Sequence, residues 1–193
     1  AKATGQAAFT GDLAMPRMLQ GKILRSPLPH AKILNIDTSR ARSLPGVKAV
    51  ITGKDTLGRK YNVLRFKESF ADEYLLAMDK VRFIGDAVAA VAAVDEESAQ
   101  DALDLIKVDY EVLPAVFDPE EALKPGAPRI HDHSENNVSR RINMEFGDVD
   151  GLMASAYHVR EDTFVTQSQS HVPMEGHACV ASFEPNSRLT VWT

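Results

Sequence analysis

The side chains best suited to chemistry lie in two short polar segments in the second half of this sequence. Residues 131–133 read HDH, and residues 171–177 read HVPMEGH. Imidazole and carboxylate groups bind divalent metals and exchange protons near neutral pH. Each segment is therefore a candidate for a metal site or for an acid–base pair.

The HDH segment lies in a stretch from Lys124 to Asn137 that is rich in proline, glycine, aspartate and asparagine. This composition is typical of an exposed linker. Two histidines separated by one residue are weak support for a zinc site, because no third ligand follows at a recognisable spacing. We therefore expect His131, Asp132 and His133 to belong to a solvated loop, with a metal site as the alternative.

The HVPMEGH segment places His171 and Glu175 four residues apart. That spacing brings two ligands together on a helix, but Pro173 and Gly176 favour a bent segment instead. We expect Glu175 to accept hydrogen bonds from backbone or hydroxyl donors in a buried turn. A role for these residues as acid, base or metal ligand is the alternative. The side chains of the preceding residues 167–170 (QSQS) either line a groove or form hydrogen bonds with backbone polar groups.

Three further positions are weaker candidates. Cys179 lies in an apolar strand pattern with no neighbour in sequence that would lower the pKa of its thiol, so we interpret it as a small apolar residue. Gly53 and Gly85 belong to neither of the common phosphate-loop patterns. The residues supply no complete catalytic constellation. We therefore assign no catalytic, cofactor-binding or metal-binding residue to this chain.

The composition is that of a soluble globular protein. The 193 residues are 44% hydrophobic and 25% charged, with a formal net charge of -5. The acidic balance argues against a nucleic-acid surface, and no apolar run approaches the roughly 20 residues that span a bilayer. The single cysteine excludes an internal disulfide and an iron–sulfur site built from this chain alone. Because the N-terminus shows no signal-peptide pattern, a cytoplasmic protein is expected.

The clearest structural pattern runs from Lys80 to Pro114 and predicts a strand, a helix and a strand. Residues 87–94 are apolar, and Asp95 is placed to accept a hydrogen bond from a free backbone N–H of the following helical turn. The apolar stripe of the helix is formed by Ala99, Ala102, Leu103 and Ile106.

The second strand of this unit begins at Lys107, after which apolar residues occur at every second position. Val108, Tyr110 and Val112 are predicted to face one side of the strand. Lys107, Asp109 and Glu111 are predicted to face the other side. Pro114 ends the pattern.

The remaining pattern predicts an α+β (mixed α/β) protein. Further strands are predicted over residues 18–25, 31–37, 47–51, 157–165, 178–183 and 189–192, with an irregular loop over residues 61–73. Short helices are predicted after Asp118 and Asp148. The change of composition after Pro114 predicts a domain at residues 1–117, a linker at 118–137 and a second domain at 138–193.

Both ends have the pattern of a cut chain. The sequence begins with Ala1 rather than methionine, and it ends within the alternating pattern RLTVWT. We therefore expect a fragment or a processed subunit.

Five stretches resemble the N-terminal part of the molybdenum-cofactor-binding subunit of the xanthine dehydrogenase/aldehyde oxidase family. They occur in the family's order and cover nearly the whole chain. The sequences RSPLPHAKI (residues 25–33) and IKVDYEVLPA (residues 106–115) are similar to those of 4-hydroxybenzoyl-CoA reductase alpha subunits. The five stretches are TGQAAFTGDLAMP at residues 4–16, GKILRSPLPHAKILNIDTSRARSLPGVKAVITGKD at 21–55, DKVRFIGDAVAAVAAVDEESAQDALDLIKVDYEVLPAV at 79–116, EFGDVDGLMASAYHVRED at 145–162 and HVPMEGHACVASFEP at 171–185.

The resemblance implies an α/β hammerhead domain at residues 1–117 and the incomplete beginning of the first molybdopterin-binding domain at 138–193. It implies a parent oxidoreductase with a molybdenum–pyranopterin centre, which hydroxylates an aldehyde or N-heterocycle or reductively dehydroxylates an aromatic acyl-CoA. Electrons would pass to iron–sulfur clusters and FAD in partner domains or subunits. The family's glutamine beside molybdenum, its GGGFG loop and its catalytic glutamate fall beyond Thr193, so none is carried over onto this chain.

Two functional hypotheses follow. The first is an N-terminal fragment of a molybdenum hydroxylase large subunit, inactive alone. Its expected partners are the remainder of that subunit and the iron–sulfur and FAD subunits, in an oligomeric parent enzyme. The alternative is a self-contained hammerhead-type binding or assembly module without catalysis. A reading frame that continues past Thr193 with Ser-Thr-Gln and a GGGFG loop would favour the first hypothesis, and a stop codon there would favour the second.

Overall fold

The structure, a computed structural model, describes residues 1–61, 73–134, 136–184 and 186–193. They form two compact units, one of Arg17–Arg141 and one of Ala1–Pro16 together with Ile142–Thr193. Both units contain helix and strand, which confirms the predicted α+β class. Among the described residues, no helix has the length and apolar character needed to cross a membrane.

The larger unit contains eight of the described strands and three α-helices. Its two main sheets are each three-stranded and antiparallel. The elements are β1 (Gln20–Arg25), β2 (Ala31–Asp37), α1 (Ser39–Ser43), β3 (Val47–Thr52), β4 (Lys60–Tyr61), β5 (Glu73–Tyr74), β6 (Lys80–Val81), β7 (Ala87–Ala93), α2 (Glu96–Leu105), β8 (Lys107–Val112) and α3 (Pro119–Ala122).

The first sheet has the strand order β1-β7-β3. The central strand β7 lies within the apolar run at residues 87–94 that predicted a strand, and every one of its residues is buried or half-buried. One face of the sheet packs against helix α2, where Val50 and Val91 are each 2% exposed. Full burial of one such side chain contributes about 1.5–3 kcal/mol, so this layer is a main source of the unit's stability.

Helix α2 forms as the sequence predicted. The side chain of Asp95 accepts a hydrogen bond from the backbone N–H of Ser98 at 2.7 Å, which caps the first turn. Ala99, Ala102 and Leu103 are buried on the predicted stripe. The helix ends at Leu105, and β8 begins two residues later in the second sheet. The strands on either side of α2 therefore belong to different sheets.

The second sheet has the strand order β6-β2-β8. Its buried face packs around Ala31, Val81 and Val88, with Tyr110 partly buried against them. The predicted alternation of β8 is confirmed for Val108 and Tyr110. Val112 pairs with the buried Ala31 but is itself 67% exposed, because it lies at the last position of the strand.

Gly53 marks a close contact between two backbone segments of the larger unit. A Cβ atom at this position would lie 2.4 Å from the carbonyl oxygen of Ala77. Since carbon and oxygen atoms cannot approach so closely, the contact requires glycine. The structural reason for Gly53 is therefore backbone packing, in agreement with the absence of a phosphate-loop pattern.

The smaller unit contains α4 (Val149–Ser155) and an antiparallel pair of strands, β9 (Val180–Phe183) and β10 (Leu189–Trp192). Asp148 caps α4 through the backbone N–H of Gly151, as predicted. The strand predicted over residues 157–165 is absent from this described segment. A strand requires a hydrogen-bonding partner, and no partner strand is described beside this segment.

Candidate functional site

The HDH segment belongs to the larger unit. Asp132 Oδ1 accepts a hydrogen bond from Lys80 Nζ at 3.0 Å, and Asp132 Oδ2 lies 4.0 Å from Arg82 Nη2. The side chain of Asp132 is 71% exposed, whereas that of Lys80 is 8% exposed. Sequence reasoning predicted the exposure but missed the ion pair, because Lys80 and Asp132 are 52 residues apart.

The basic groups around Asp132 act on its ionisation. The hydrogen bond from Lys80 is the largest cause that lowers the pKa of the Asp132 carboxyl, and the charges of Lys80, Arg82 and Arg129 act in the same direction. Arg129 also donates a hydrogen bond to the backbone carbonyl of Asp132. The aspartate is therefore a structural anion that holds residue 132 beside strand β6.

Asn137 organises the segment that contains Asp132. Its φ angle is +54°, a left-handed conformation that asparagine tolerates better than most residues. Its side chain accepts from the backbone N–H of Ile130 at 3.0 Å and donates to the carbonyl oxygens of Ala122 and Pro128 at 3.1 and 2.9 Å. These bonds fold the predicted linker into a compact loop.

The two histidines of the HDH segment contact each other edge to face, with ring centroids 5.4 Å apart. Within the described ranges, no group of three or more His, Cys, Asp or Glu side chains is arranged to hold a metal ion. Asp132, the residue between the histidines, is engaged with Lys80. This ion pair gives Asp132 a structural role in the loop.

A second buried contact joins two stretches on which the family resemblance rests. His30 Nδ1 donates a hydrogen bond to the carbonyl oxygen of Pro114 at 2.6 Å. His30 is 3% exposed, and its Nε2 atom has no hydrogen-bond partner among the described residues. The contact ties the RSPLPH turn to the end of β8, and the sequence held no local signal for it.

The larger unit also contains a cavity of about 210 Å³, whose lining includes Arg25, Tyr61, Glu73, Arg82 and Asp86. Burial raises the pKa of the Asp86 carboxyl, which accepts a hydrogen bond from the backbone N–H of Arg82 at 3.0 Å. A hydrogen bond with Glu73 raises the pKa of the Tyr61 phenol. Residues 62–72, which contain most of the predicted irregular loop, lie outside the described residues. Since the lining carries basic and acidic groups together, it defines no single class of ligand.

The HVPMEGH segment takes a different form from the one expected. All residues from 141 to 177 are exposed, so Glu175 does not lie in a buried turn. Cys179 is exposed as well, although the sequence predicted a small apolar residue within a strand. The physical reason is shared, because the described part of this unit contains too little packed structure to cover either residue.

The exposed residues of the smaller unit do not fit a cofactor site by themselves. A bound organic cofactor is held in a concave site that buries most of its surface. The polar run from Gln167 to Ser170 is exposed. The described residues of this unit therefore do not enclose a cofactor by themselves.

Two family models match successive parts of the chain. The family model "Aldehyde oxidase and xanthine dehydrogenase, a/b hammerhead domain" matches residues 4–114. The model "Molybdopterin cofactor-binding domain" matches residues 130–193. Together the two models cover most of the sequence.

Curated relatives extend the similarity over almost the whole chain. A probable xanthine dehydrogenase subunit from Bacillus subtilis (strain 168) is 40% identical over 191 residues, which are 99% of this chain and 25% of that protein. The nicotinate dehydrogenase large molybdopterin subunit of Eubacterium barkeri is 38% identical over 98% of this chain and 43% of that protein. The chain thus spans less than half the length of either relative.

Solved structures show the same fold. Quinoline 2-oxidoreductase from Pseudomonas putida 86 matches with a TM-score of 0.87 and 35% identity, over 99% of this chain and 25% of that chain. The aldehyde oxidoreductase from Desulfovibrio gigas matches with a TM-score of 0.84 and 32% identity, over 98% of this chain and 22% of that chain. In both, the similarity is confined to about a quarter of the larger polypeptide.

Proposed function

This chain belongs to the aldehyde oxidase and xanthine dehydrogenase family, and from that premise we propose that it is the N-terminal part of a molybdenum-cofactor-binding large subunit. The fold is a hammerhead domain followed by the start of a molybdopterin-binding domain. We propose residues 1–117 and 138–193 as the extents of these domains and residues 118–137 as the linker. The proposed parent enzyme is an oxidoreductase, and this part is inactive alone.

The exposure of the smaller unit is the observation that carries the proposal. Large apolar side chains there lie in solvent, including Phe146 at 84%, Phe164 at 86% and Val165 at 91% exposure. Exposed apolar patches of this kind mark surfaces that a partner covers. The relatives supply a natural partner, because their matched chains are two to four times as long.

The proposed reaction is oxidation of an aldehyde or an N-heterocycle, or reduction of an aromatic acyl-CoA, at a molybdenum–pyranopterin centre. That centre would supply the oxygen-transfer and redox chemistry when bound. The described residues do not enclose it, so we assign no catalytic, cofactor-binding or metal-binding role to any of them. The remaining cofactors in the proposal are iron–sulfur clusters and FAD, carried by partner domains or subunits in an oligomeric, cytoplasmic enzyme.

Within the family, the sequences RSPLPHAKI and IKVDYEVLPA support an aromatic acyl-CoA as the substrate, as in 4-hydroxybenzoyl-CoA reductases. The structure gives these two stretches a shared structural role through the bond between His30 and Pro114. Turnover of 4-hydroxybenzoyl-CoA by the full-length complex, compared with xanthine and an aromatic aldehyde, tests this choice of substrate.

The alternative function is a self-contained hammerhead-type binding or assembly module. It is favoured by one observation, which is that the larger unit has its own two buried clusters. Sequencing the parent gene separates the two functions. A reading frame that continues with Ser-Thr-Gln and a GGGFG loop supports the large subunit, and a stop codon after Thr193 supports the module.

The direct test compares the isolated chain with the full-length subunit. We expect the isolated chain to contain no stoichiometric molybdenum by elemental analysis and to show no dye-linked oxidation. The full-length subunit in its complex is expected to show both. Stoichiometric molybdenum and turnover in the isolated chain would overturn the proposal that this part is inactive alone.

A further inference from the structure

The first sheet has one covered face, and the opposite face is exposed in part, since Val88 of β7 is buried in the core of the second sheet. Helix α2 covers the face that contains Val50 and Val91. On the opposite face, the register aligns Ile23, Ala90 and Ile51 in one row and Gly21, Ala92 and Ala49 in the next. These six residues are called the apolar face.

The apolar face is exposed within the described structure. Ile23 is 47% exposed and Ile51 is 41% exposed. Gly21 and Ala49 are exposed, and Ala90 and Ala92 are half-buried between their neighbours. None of the six positions carries a polar or charged side chain.

The second sheet of the same unit has a solvent-exposed face that can be compared with the apolar face. Its outer rows pair Lys32 with Glu111, Asn35 with Asp109, and Asp37 with Lys107. Lys32 Nζ lies 2.9 Å from Glu111 Oε1, and both side chains are about half exposed. All six of these paired positions are polar or charged, whereas none of the six positions of the apolar face is.

This contrast indicates that the apolar face is buried in the assembled protein. An antiparallel sheet with one solvated face normally alternates apolar and polar residues along each strand. Each flanking strand contributes an isoleucine and a small residue, and the central strand contributes two alanines between them. Small residues let another backbone approach closely, so the surface suits a packed helix or a second sheet layer. The residues at the register shifts, Leu34 and Lys48, have no cross-strand partner and do not enter this comparison.

We propose that the apolar face is the docking surface for a segment of the same large subunit that lies outside these 193 residues. The inference rests on the proposed function. The matched part accounts for 25% of the Bacillus subtilis relative and 25% of the quinoline 2-oxidoreductase chain. The remaining three quarters of such a polypeptide are tethered to this unit, and tethering raises the effective concentration of an intramolecular partner over that of any separate protein.

The test measures access to cysteine side chains in the full-length large subunit. Ile51→Cys and Ala49→Cys introduce a thiol on the apolar face, and Asn35→Cys introduces one at a mid-strand position on the outer face of the second sheet. Maleimide labelling of each tryptic peptide is followed by mass spectrometry, with the unsubstituted protein as the background. Labelling in urea confirms that each thiol reacts fully when unfolded.

We expect positions 51 and 49 to label at least about tenfold more slowly than position 35 in the monomeric large subunit, because labelling would require local opening. Equal rates at all three positions would overturn the proposal. Protection that appears only in a dimer or only with another subunit present would also overturn it, since the occupant would then be a second copy or a different chain. Ala49→Cys changes little volume, so it keeps the test valid if Ile51→Cys fails to fold.

The proposed function is judged by other measurements. Molybdenum content and turnover of the unsubstituted large subunit show whether it is a molybdenum oxidoreductase. A protein with both properties but fast labelling at positions 49 and 51 would overturn the docking surface alone. A protein with neither property would overturn the proposed function whatever the labelling rates.

Discussion

At the scale of single residues, two ion pairs of similar length differ in their surroundings. Lys80 and Asp132 are separated by 3.0 Å, and Lys32 and Glu111 by 2.9 Å. The Lys80 side chain is 8% exposed, whereas the Lys32 side chain is 53% exposed. Removing the acidic partner leaves a buried ammonium group in the first case and a hydrated one in the second.

Asp132→Asn is expected to lower the free energy of unfolding by about 1–2 kcal/mol, a range that allows for solvent screening at the exposed carboxylate. Glu111→Gln is the matched control, with an expected change below about 0.5 kcal/mol. Urea unfolding of both variants at neutral pH measures the two changes. Equal losses in the two variants would show that burial of Lys80 does not set the strength of its pair.

The same pair should respond to acid in a defined direction. The pKa of Asp132 is lowered in the folded state, chiefly by the hydrogen bond from Lys80. Its stabilising contribution is therefore complete above the ordinary pKa of 3.8 and is lost as the pH falls through the lowered folded value. The difference between the native chain and Asp132→Asn should accordingly shrink below pH 3.8 in acid unfolding experiments.

At the scale of elements, the unit from β7 to β8 shows how local and distant constraints combine. The cap at Asp95 and the buried stripe of α2 depend on residues within a few positions of each other. The division of β7 and β8 between two sheets depends on partners elsewhere in the chain. The close contact at Gly53 is a second constraint of this distant kind.

Gly53→Ala is expected to destabilise the larger unit by about 1–3 kcal/mol, because the added methyl group overlaps the carbonyl oxygen of Ala77 and forces the backbone to move. Gly21→Ala is the control, since its Cβ would lie 3.9 Å from the nearest atom. Thermal unfolding monitored by circular dichroism measures both. A melting temperature for Gly53→Ala equal to that of Gly21→Ala would contradict the close contact.

At the scale of the whole molecule, the isolated chain presents unpaired strand edges and uncovered apolar side chains. In the described part of the smaller unit, β9 and β10 pair only with each other. Phe183 and Val191 on these strands are 72% and 47% exposed. Open edges with apolar side chains promote pairing between chains.

The isolated chain is therefore expected to self-associate at high concentration, as measured by light scattering. Phe183→Lys should weaken the association, because a charged side chain on an open strand opposes edge pairing. Leu34→Lys is the control, a similarly exposed apolar residue (63%) in the larger unit. Strictly monomeric behaviour of the native chain would contradict this prediction.

The sequence alone determined the features that rest on short-range physics. Asp95 caps α2 by accepting a hydrogen bond from Ser98, three residues further on, and Val108 and Tyr110 alternate with charged neighbours within β8. It also carried the family resemblance, which the matches to the hammerhead and molybdopterin-binding domains confirm. The strand predicted over residues 157–165 was wrong, because strand propensity cannot supply a pairing partner.

Only the tertiary structure decided which distant residues meet. Lys80 and Asp132 are 52 residues apart, and His30 and Pro114 are 84 residues apart. Such contacts depend on the path of the whole chain, which a local pattern does not contain. The apolar face is the clearest case, because three separate strands must align before six small or aliphatic residues form one uncharged surface.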